Sequence, residues 1–293
     1  MPDPSRRCSA GKSSMPRLDG LGPDRRSLIL IGAAALVASQ ARADTPALSG
    51  KLQQSGFAFG RAAPRADLMM DGVPVGQASK NGLFVIGFDR DSPAAARLDV
   101  GGAAQTLTIA PTQYDIQRID GLPDDQVSPT DPALLARIKA EAERKAVGFA
   151  SNIDADDFKD GFVMPVQGAR LSARFGGQRI LNGVPNRPHY GSDLAAPIGT
   201  PVRAPAGGFV SFAESNLHFD GALVMIDHGQ GLISCYLHLS RVDAVKGQWL
   251  KRGDMIGAVG MEGRATGPHL CWRMKWRGRN LDPLLMVGQR APV

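Results

Sequence analysis

The sequence predicts a mainly β protein, and three observations carry that prediction. The 293 residues include 35 Gly and 21 Pro, a turn-rich composition that suits many short strands better than a helix bundle. Several segments show the period of two that puts alternate side chains on opposite faces of a sheet. One segment alone, opening at Asp131-Pro132, reads as a helix of any length. The expected order is an export segment (1–43), a small antiparallel β-sandwich (44–125), a helical linker (126–160) and a C-terminal β domain (161–293).

The first segment has the layout of an export signal. Arg25-Arg26 precede the apolar run Leu28 to Ala38, and Ala41-Arg42-Ala43 is a small-x-small cleavage pattern that would leave Asp44 first. The run is too short for a membrane span, so no transmembrane segment is expected after its removal, and the protein is expected in the periplasm or outside the cell. The paired arginines leave both twin-arginine and general export open, and Met15 is an alternative start. Either way the mature chain keeps two cysteines, Cys235 and Cys271, and no disulfide framework.

Between 48 and about 122, short apolar stretches are separated by the turn pairs Asp71-Gly72, Asn81-Gly82 and Gly101-Gly102. Leu83 to Phe88 and Thr106 to Ile109 are rich in strand formers, hence the sandwich. Asp131 is a capping residue and Pro132 suits the first helical position. The expected apolar stripe runs through Leu134 or Leu135, Ile138, Ala142, Ala146 and Phe149, and would pack between the two β regions.

In the C-terminal region, Leu270, Trp272, Met274 and Trp276 alternate with His269, Cys271, Arg273, Lys275 and Arg277. That strand would place one imidazole, one thiol and several cations on a single face above an apolar underside. By the same count Tyr236 and His238 share a face, with Cys235, Leu237 and Leu239 on the other. Cys235 is therefore expected to be a small buried hydrophobe facing away from Cys271. Pro188, Gly191 and Pro197 exclude a helix through His189 to Asp193, and extended or turning chain would project both side chains together.

These residues are of the types that hold and use zinc: His189, Asp193 and Cys271 offer imidazole, carboxylate and thiolate, while His238 and His269 add groups able to move protons. They recur with Ser-Ala-Arg-Phe-Gly (172–176), Gly-Thr-Pro-Val-Arg-Ala-Pro (199–205), Asp-His-Gly (227–229) and a glycine-spaced segment ending Thr-Gly-Pro-His-Leu at Leu270. Over about 161–287 the chain resembles the lysostaphin/LytM-type zinc endopeptidases, which cut peptide cross-links in bacterial cell walls.

That resemblance implies an antiparallel β-sheet peptidase domain and a zinc metalloendopeptidase acting on peptidoglycan stem peptides. It implies His189 and Asp193 as zinc ligands and His238 and His269 as the catalytic pair. The remaining ligand position of the family is a His, and here it is Cys271. Arg273 and Lys275 are candidates for gripping acidic substrate. The alternative is a catalytically inactive domain of the same type that binds cell wall or activates a partner amidase. His228, in the turn composition Asp-His-Gly-Gln-Gly, is expected to be structural, and His218 a surface residue.

A nucleic-acid partner is not expected. Of the formal charge of +6, residues 1–43 contribute seven Lys/Arg against three Asp/Glu, leaving 27 against 25, or +2, for the rest. No basic patch interleaved with stacking aromatics is present in the sequence.

Overall fold

The computed structural model describes residues 45–292, so the expected export segment lies outside the described residues. The N-terminal strands are β1 (Leu48–Lys51), β2 (Phe57–Arg61), β3 (Asp67–Met70), β4 (Val73–Gln77), β5 (Leu83–Gly87), β6 (Ala95–Val100) and β7 (Ala103–Thr108). They form a three-stranded sheet, β1-β2-β5, and a four-stranded one, β4-β3-β6-β7, all pairs antiparallel. β6 alternates exposed and covered residues, as a strand with one wet face must. β5, Leu-Phe-Val-Ile-Gly, is buried at every position, because both of its faces are covered.

The second cover is the C-terminal sheet. At Gly87 a Cβ would meet Leu281 Cδ2 at 2.8 Å and Trp276 Cβ at 3.2 Å, so the closeness of the two regions depends on glycine there. Phe59 stacks on Phe158 at 5.3 Å, and one continuous apolar core joins Phe57, Phe84 and Leu98 to Trp272, Trp276 and Leu281.

The chain then forms β8 (Ile116–Ile119), the short α1 (Asp124–Val127) and α2 (Pro132–Phe149). The Asp131 side chain accepts the Leu134 N–H, the expected cap. The buried stripe differs from the expected one. It runs through Leu134, Ile138, Glu141, Lys145, Gly148 and Phe149, and Ala142 and Ala146 are exposed. Glu141 can be buried because Arg137 Nε (2.8 Å) and the His218 N–H (2.9 Å) satisfy its carboxylate. The helix does not lie between the two β regions; it packs on the C-terminal sheet over β14. No helix among the described residues is long and apolar enough to cross a membrane.

The remaining strands are β9 (Arg170–Ala173), β10 (Gln178–Leu181), β11 (Val184–Pro185), β12 (Ser192–Ala195), β13 (Pro201–Arg203), β14 (Gly208–Leu217), β15 (Gly221–Asp227), β16 (Leu232–Val242), β17 (Trp249–Leu250), β18 (Met255–Val259), β19 (His269–Trp276) and β20 (Arg279–Leu281). Ten of these make one sheet whose main path is β17-β14-β15-β16-β19-β12-β9. β8 pairs in parallel with β10, and β10 pairs antiparallel with β11, in a small separate sheet.

Candidate metal centre and active site

β19 alternates as expected. Leu270, Trp272, Met274 and Trp276 are fully buried on the underside, while His269, Cys271, Arg273 and Lys275 take the other face. β12 lies antiparallel beside it with Asp193 opposite Cys271 and Ala195 opposite His269, so the carboxylate and the sulfur share that face. His189 precedes β12 and is held by its backbone: its N–H donates to Gly177 O (2.8 Å), and its carbonyl accepts the Gly176 N–H (2.7 Å). Gly176, the last residue of the 172–176 motif, and the Gly177 after it thereby fix the backbone that carries this imidazole. At Gly191 a Cβ would meet both Cys271 Sγ and Arg273 Cγ at 2.8 Å, which explains the glycine inside His-Tyr-Gly-Ser-Asp.

One candidate ligand atom from each of His189, Asp193 and Cys271 lies within 4.8 Å of the others, and all three residues are buried. His189 Nε2 is 3.0 Å from Asp193 Oδ1 and 3.4 Å from Cys271 Sγ. Asp193 Oδ1 is buried in no hydrogen bond of good geometry, facing only ring nitrogens: His189 Nε2 at 3.0 Å and His269 Nε2 at 3.6 Å. Three donors of zinc-binding type converging on one point, with unsatisfied lone pairs among them, fit a metal ion. No fourth protein donor joins this cluster among the described residues, which suits a site with an open coordination position.

His238 reaches the same place by an irregularity that strand counting misses. Tyr236 pairs with Trp272 and with Val224 on the core side, and Leu237 pairs with Cys271 on the site side. Straight alternation would then send His238 into the core. Instead β16 bulges: Leu237 and His238 together stand opposite Leu223, and His238 has φ +64. The bulge turns His238 onto the site face, and Leu239 resumes the core side.

The expected partition of β16 is corrected accordingly. Cys235 and Leu237 lie on the site face with Cys271, and Tyr236 does not share a face with His238. Cys235 is a buried, free thiol as expected, pushed up to about 12 by burial. No disulfide joins it to Cys271: Cys235 stands opposite Arg273, so the cysteines are diagonal rather than direct neighbours.

The two catalytic candidates are arranged alike. His238 Nδ1 donates to Glu262 O (2.7 Å) and His269 Nδ1 to Gly267 O (2.8 Å), which leaves each Nε2 as an acceptor in the neutral ring. Their rings lie 4.9 Å apart, and His269 Nε2 is 3.6 Å from Asp193 Oδ1. Burial, with His269 adding repulsion, pushes His238 down to about 3, and burial pushes His189 down to about 4. For Asp193 burial acts upward, but His189, His269 and Arg179 outweigh it and hold the carboxyl well below its usual range. Burial, with Asp193 beside it, pushes the Cys271 thiol up to about 12.

His228 and His218 lie apart from this cluster. His228 is sealed between Gly207 O and Ser234 Oγ (2.7 Å to the latter), and His218 Nε2 meets Asp125 O at 3.0 Å.

Clefts of about 580 and 530 Å³ flank the centre, and Arg179 and Arg264 line both. Lys145, Arg273 and Lys275 line the first, and Arg170 the second. Arg277 instead leaves the strand at φ +45 and donates to Asn152 Oδ1 (3.2 Å). Sequence reasoning did not single out Arg179, Arg264 or Asp220. The first two come from a short strand and a loop that only the fold brings over the site, and no local motif surrounds them.

Residues 187–283 match peptidase family M23. The chain carries an M23 peptidase domain. Among curated proteins, the chain is 42% identical over 117 residues to the peptidoglycan DD-endopeptidase ShyA of Vibrio cholerae, covering 39% of this chain and 27% of that protein. It is 40% identical over 129 residues to the DD-carboxypeptidase/endopeptidase Mpg of Neisseria meningitidis, covering 43% and 29%. This chain thus matches less than a third of the length of either relative. A Pseudomonas aeruginosa crystal structure described as a candidate M23 peptidase aligns at 29% identity and a TM-score of 0.62 over 81% of this chain and 96% of that one. An alignment of that extent reaches well beyond the M23 domain into the N-terminal strands.

Proposed function

We propose that this protein is an exported zinc metalloendopeptidase that hydrolyses the peptide cross-links of bacterial peptidoglycan, acting in the periplasm or outside the cell. The observation that carries the reading is the convergence of His189, Asp193 and Cys271 beside two imidazoles whose Nε2 atoms are left as acceptors. Relatives named as peptidoglycan endopeptidases support the substrate.

Zinc held by these three residues would supply Lewis acidity to the scissile carbonyl and to a water nucleophile. The chain's own groups do the rest. His238 and His269, each with its Nδ1 proton fixed on a backbone carbonyl, take up the proton released by the attacking water and return it to the leaving amine. Once protonated, either imidazole also donates to the developing oxyanion. Arg179, Arg264 and Lys275 line the groove where stem-peptide carboxylates would lie, and Arg273 faces the same groove from beside Cys271.

The test uses purified protein and purified peptidoglycan. Wild type is expected to bind one zinc per chain and to release new amino termini, and His238→Ala to abolish release with zinc content unchanged. A wild type that releases none at any pH but stimulates a separate amidase would replace this reading with that of an inactive activator.

A further inference from the structure

We propose that Arg273, with the Asp220 carboxylate beside it, is the positioning residue that lets a sulfur serve as a ligand in this centre. The proposal rests on the reading of Cys271 as a ligand. It starts from charge: Asp193 with a thiolate brings two anions to a divalent ion, where a second imidazole would leave one. A ligand set of that kind is electron-rich and a weaker Lewis acid unless a cation withdraws charge from it.

The structure places such a cation on the sulfur. Arg273 is two residues along β19 on the same face, and its Nε donates to Cys271 Sγ at 3.4 Å. Gly191 makes room for both, because the Cβ it lacks would strike the sulfur and the Arg273 side chain alike. The other end of the guanidinium faces a carboxylate, with Nη1 3.9 Å from Asp220 Oδ1, a charge contact beyond hydrogen-bond reach. Asp220 is buried and forms an ion pair with Lys145 of α2. Its backbone carbonyl accepts the His238 N–H at 3.0 Å.

The geometry suits arginine and not lysine. A planar fork can put one N–H on sulfur and another toward a carboxylate, while an ammonium is a single point. The guanidinium remains charged at every working pH, so its effect on the sulfur is constant. Arg273 acts through Cys271, and Asp220 acts through Arg273 while also fixing the bulge that presents His238. The two candidate functions of the site, holding the ion and moving the proton, thus share Asp220, which Lys145 ties to α2.

The test is a cycle of four full-length proteins: wild type, Arg273→Gln, Cys271→His and the double variant. Zinc affinity is measured by competition with a chromophoric chelator, and the sulfur-to-cobalt charge-transfer band is recorded after loading with cobalt(II). In the cysteine background Arg273→Gln is expected to weaken zinc binding by about 10- to 100-fold and to move the band to lower energy, because a sulfur without its N–H donor is more electron-rich. In the Cys271→His background the same substitution should change affinity by less than about threefold. Equal losses in the two backgrounds, or an unmoved band, would overturn the proposal. Should Arg273→Gln not fold or Cys271→His not bind zinc, Arg273→Lys and Asp220→Asn in the cysteine background decide it by the band alone, with the same red shift expected. A wild type with no sulfur-to-cobalt band removes both this inference and the ligand set, whereas a band without peptidoglycan cleavage removes the proposed activity and leaves the inference standing.

Discussion

The N-terminal sandwich and the C-terminal sheet are both built from short antiparallel strands, but they bury different polar groups. The sandwich strands and their turns bury Ser55 and Ser79, and each hydroxyl is paired: Ser55 with Tyr114 Oη at 2.6 Å, and Ser79 with Asp156 Oδ2 at 3.0 Å. The C-terminal region buries His189, Asp193, His228 and His238. Within that set His228 has a partner on both ring nitrogens, whereas His189 Nδ1 and Asp193 Oδ1 have none. Burial alone therefore does not separate scaffold from site. Nor does lack of a partner alone, since Trp272 Nε1, Trp276 Nε1, Ser211 Oγ and Asp156 Oδ1 are also buried without one; what marks the site is the convergence of a buried imidazole, carboxylate and thiol on one point, a cost that a bound ion can offset.

Four experiments break or sharpen that contrast. The largest expected effect is catalytic: His238→Ala should lower peptidoglycan hydrolysis by about 10²- to 10⁴-fold, while His228→Gln should act on stability and leave the rate of the folded fraction near wild type. A folded His228→Gln variant as slow as His238→Ala would erase the distinction. Next is the shared core: Phe84→Ala should cost about 3–5 kcal/mol and lower a single thermal transition. Two separate transitions in calorimetry would mean that the sandwich and the sheet unfold independently.

Removal of the metal by a chelator should lower Tm, and zinc at about a hundred times its Kd should restore about 2.7 kcal/mol. Cys271→Ser should show little of this gain, and a gain equal to wild type would remove the sulfur from the site. The last test is of pH. In metal-free protein the buried imidazoles of His189, His228 and His238 sit at about 4, 4 and 3, below the ordinary 6.5, so the unfolded chain binds protons more readily. Their contribution is complete above about 6.5 and is lost as pH falls toward 4 and then 3. A Tm measured on chelated protein should drop between neutral pH and about 4.5, and a Tm that rises there would contradict the sign.

Much of this was legible in the residues. The alternation of Leu270, Trp272, Met274 and Trp276 with Cys271 and Arg273 was correct, because a strand with one dry face records its geometry in every second residue. The cap at Asp131-Pro132 was equally local. Apolar character alone misplaces the stripe of α2 at Ala142 and Ala146, which are exposed, while Glu141 goes inside on the strength of partners 4 and 77 residues away. The unbroken apolar run Leu83 to Ile86 carried a signal that both faces of β5 are covered, but not by what. The parallel pairing of β8 with β10 is non-local and left no trace in either segment. His238 was assigned to the site by its motif, although the strand count placed Cys235 and Leu237 on the wrong face.

The bulge in β16 also has a consequence for how this centre can be inherited. His238 faces the metal ligands only because its strand is one residue longer than the partner it runs beside. Deleting Leu237 would restore an even ladder and keep His238 in phase with the site, but in Leu237's place opposite Leu223 and Cys271, without the positive-φ turn from which its Nδ1 reaches Glu262 O. Substitutions can tune the centre by degrees, but its reading frame in space is a matter of length. Insertion and deletion variants along β16 should therefore be far less tolerated than replacements at the same positions.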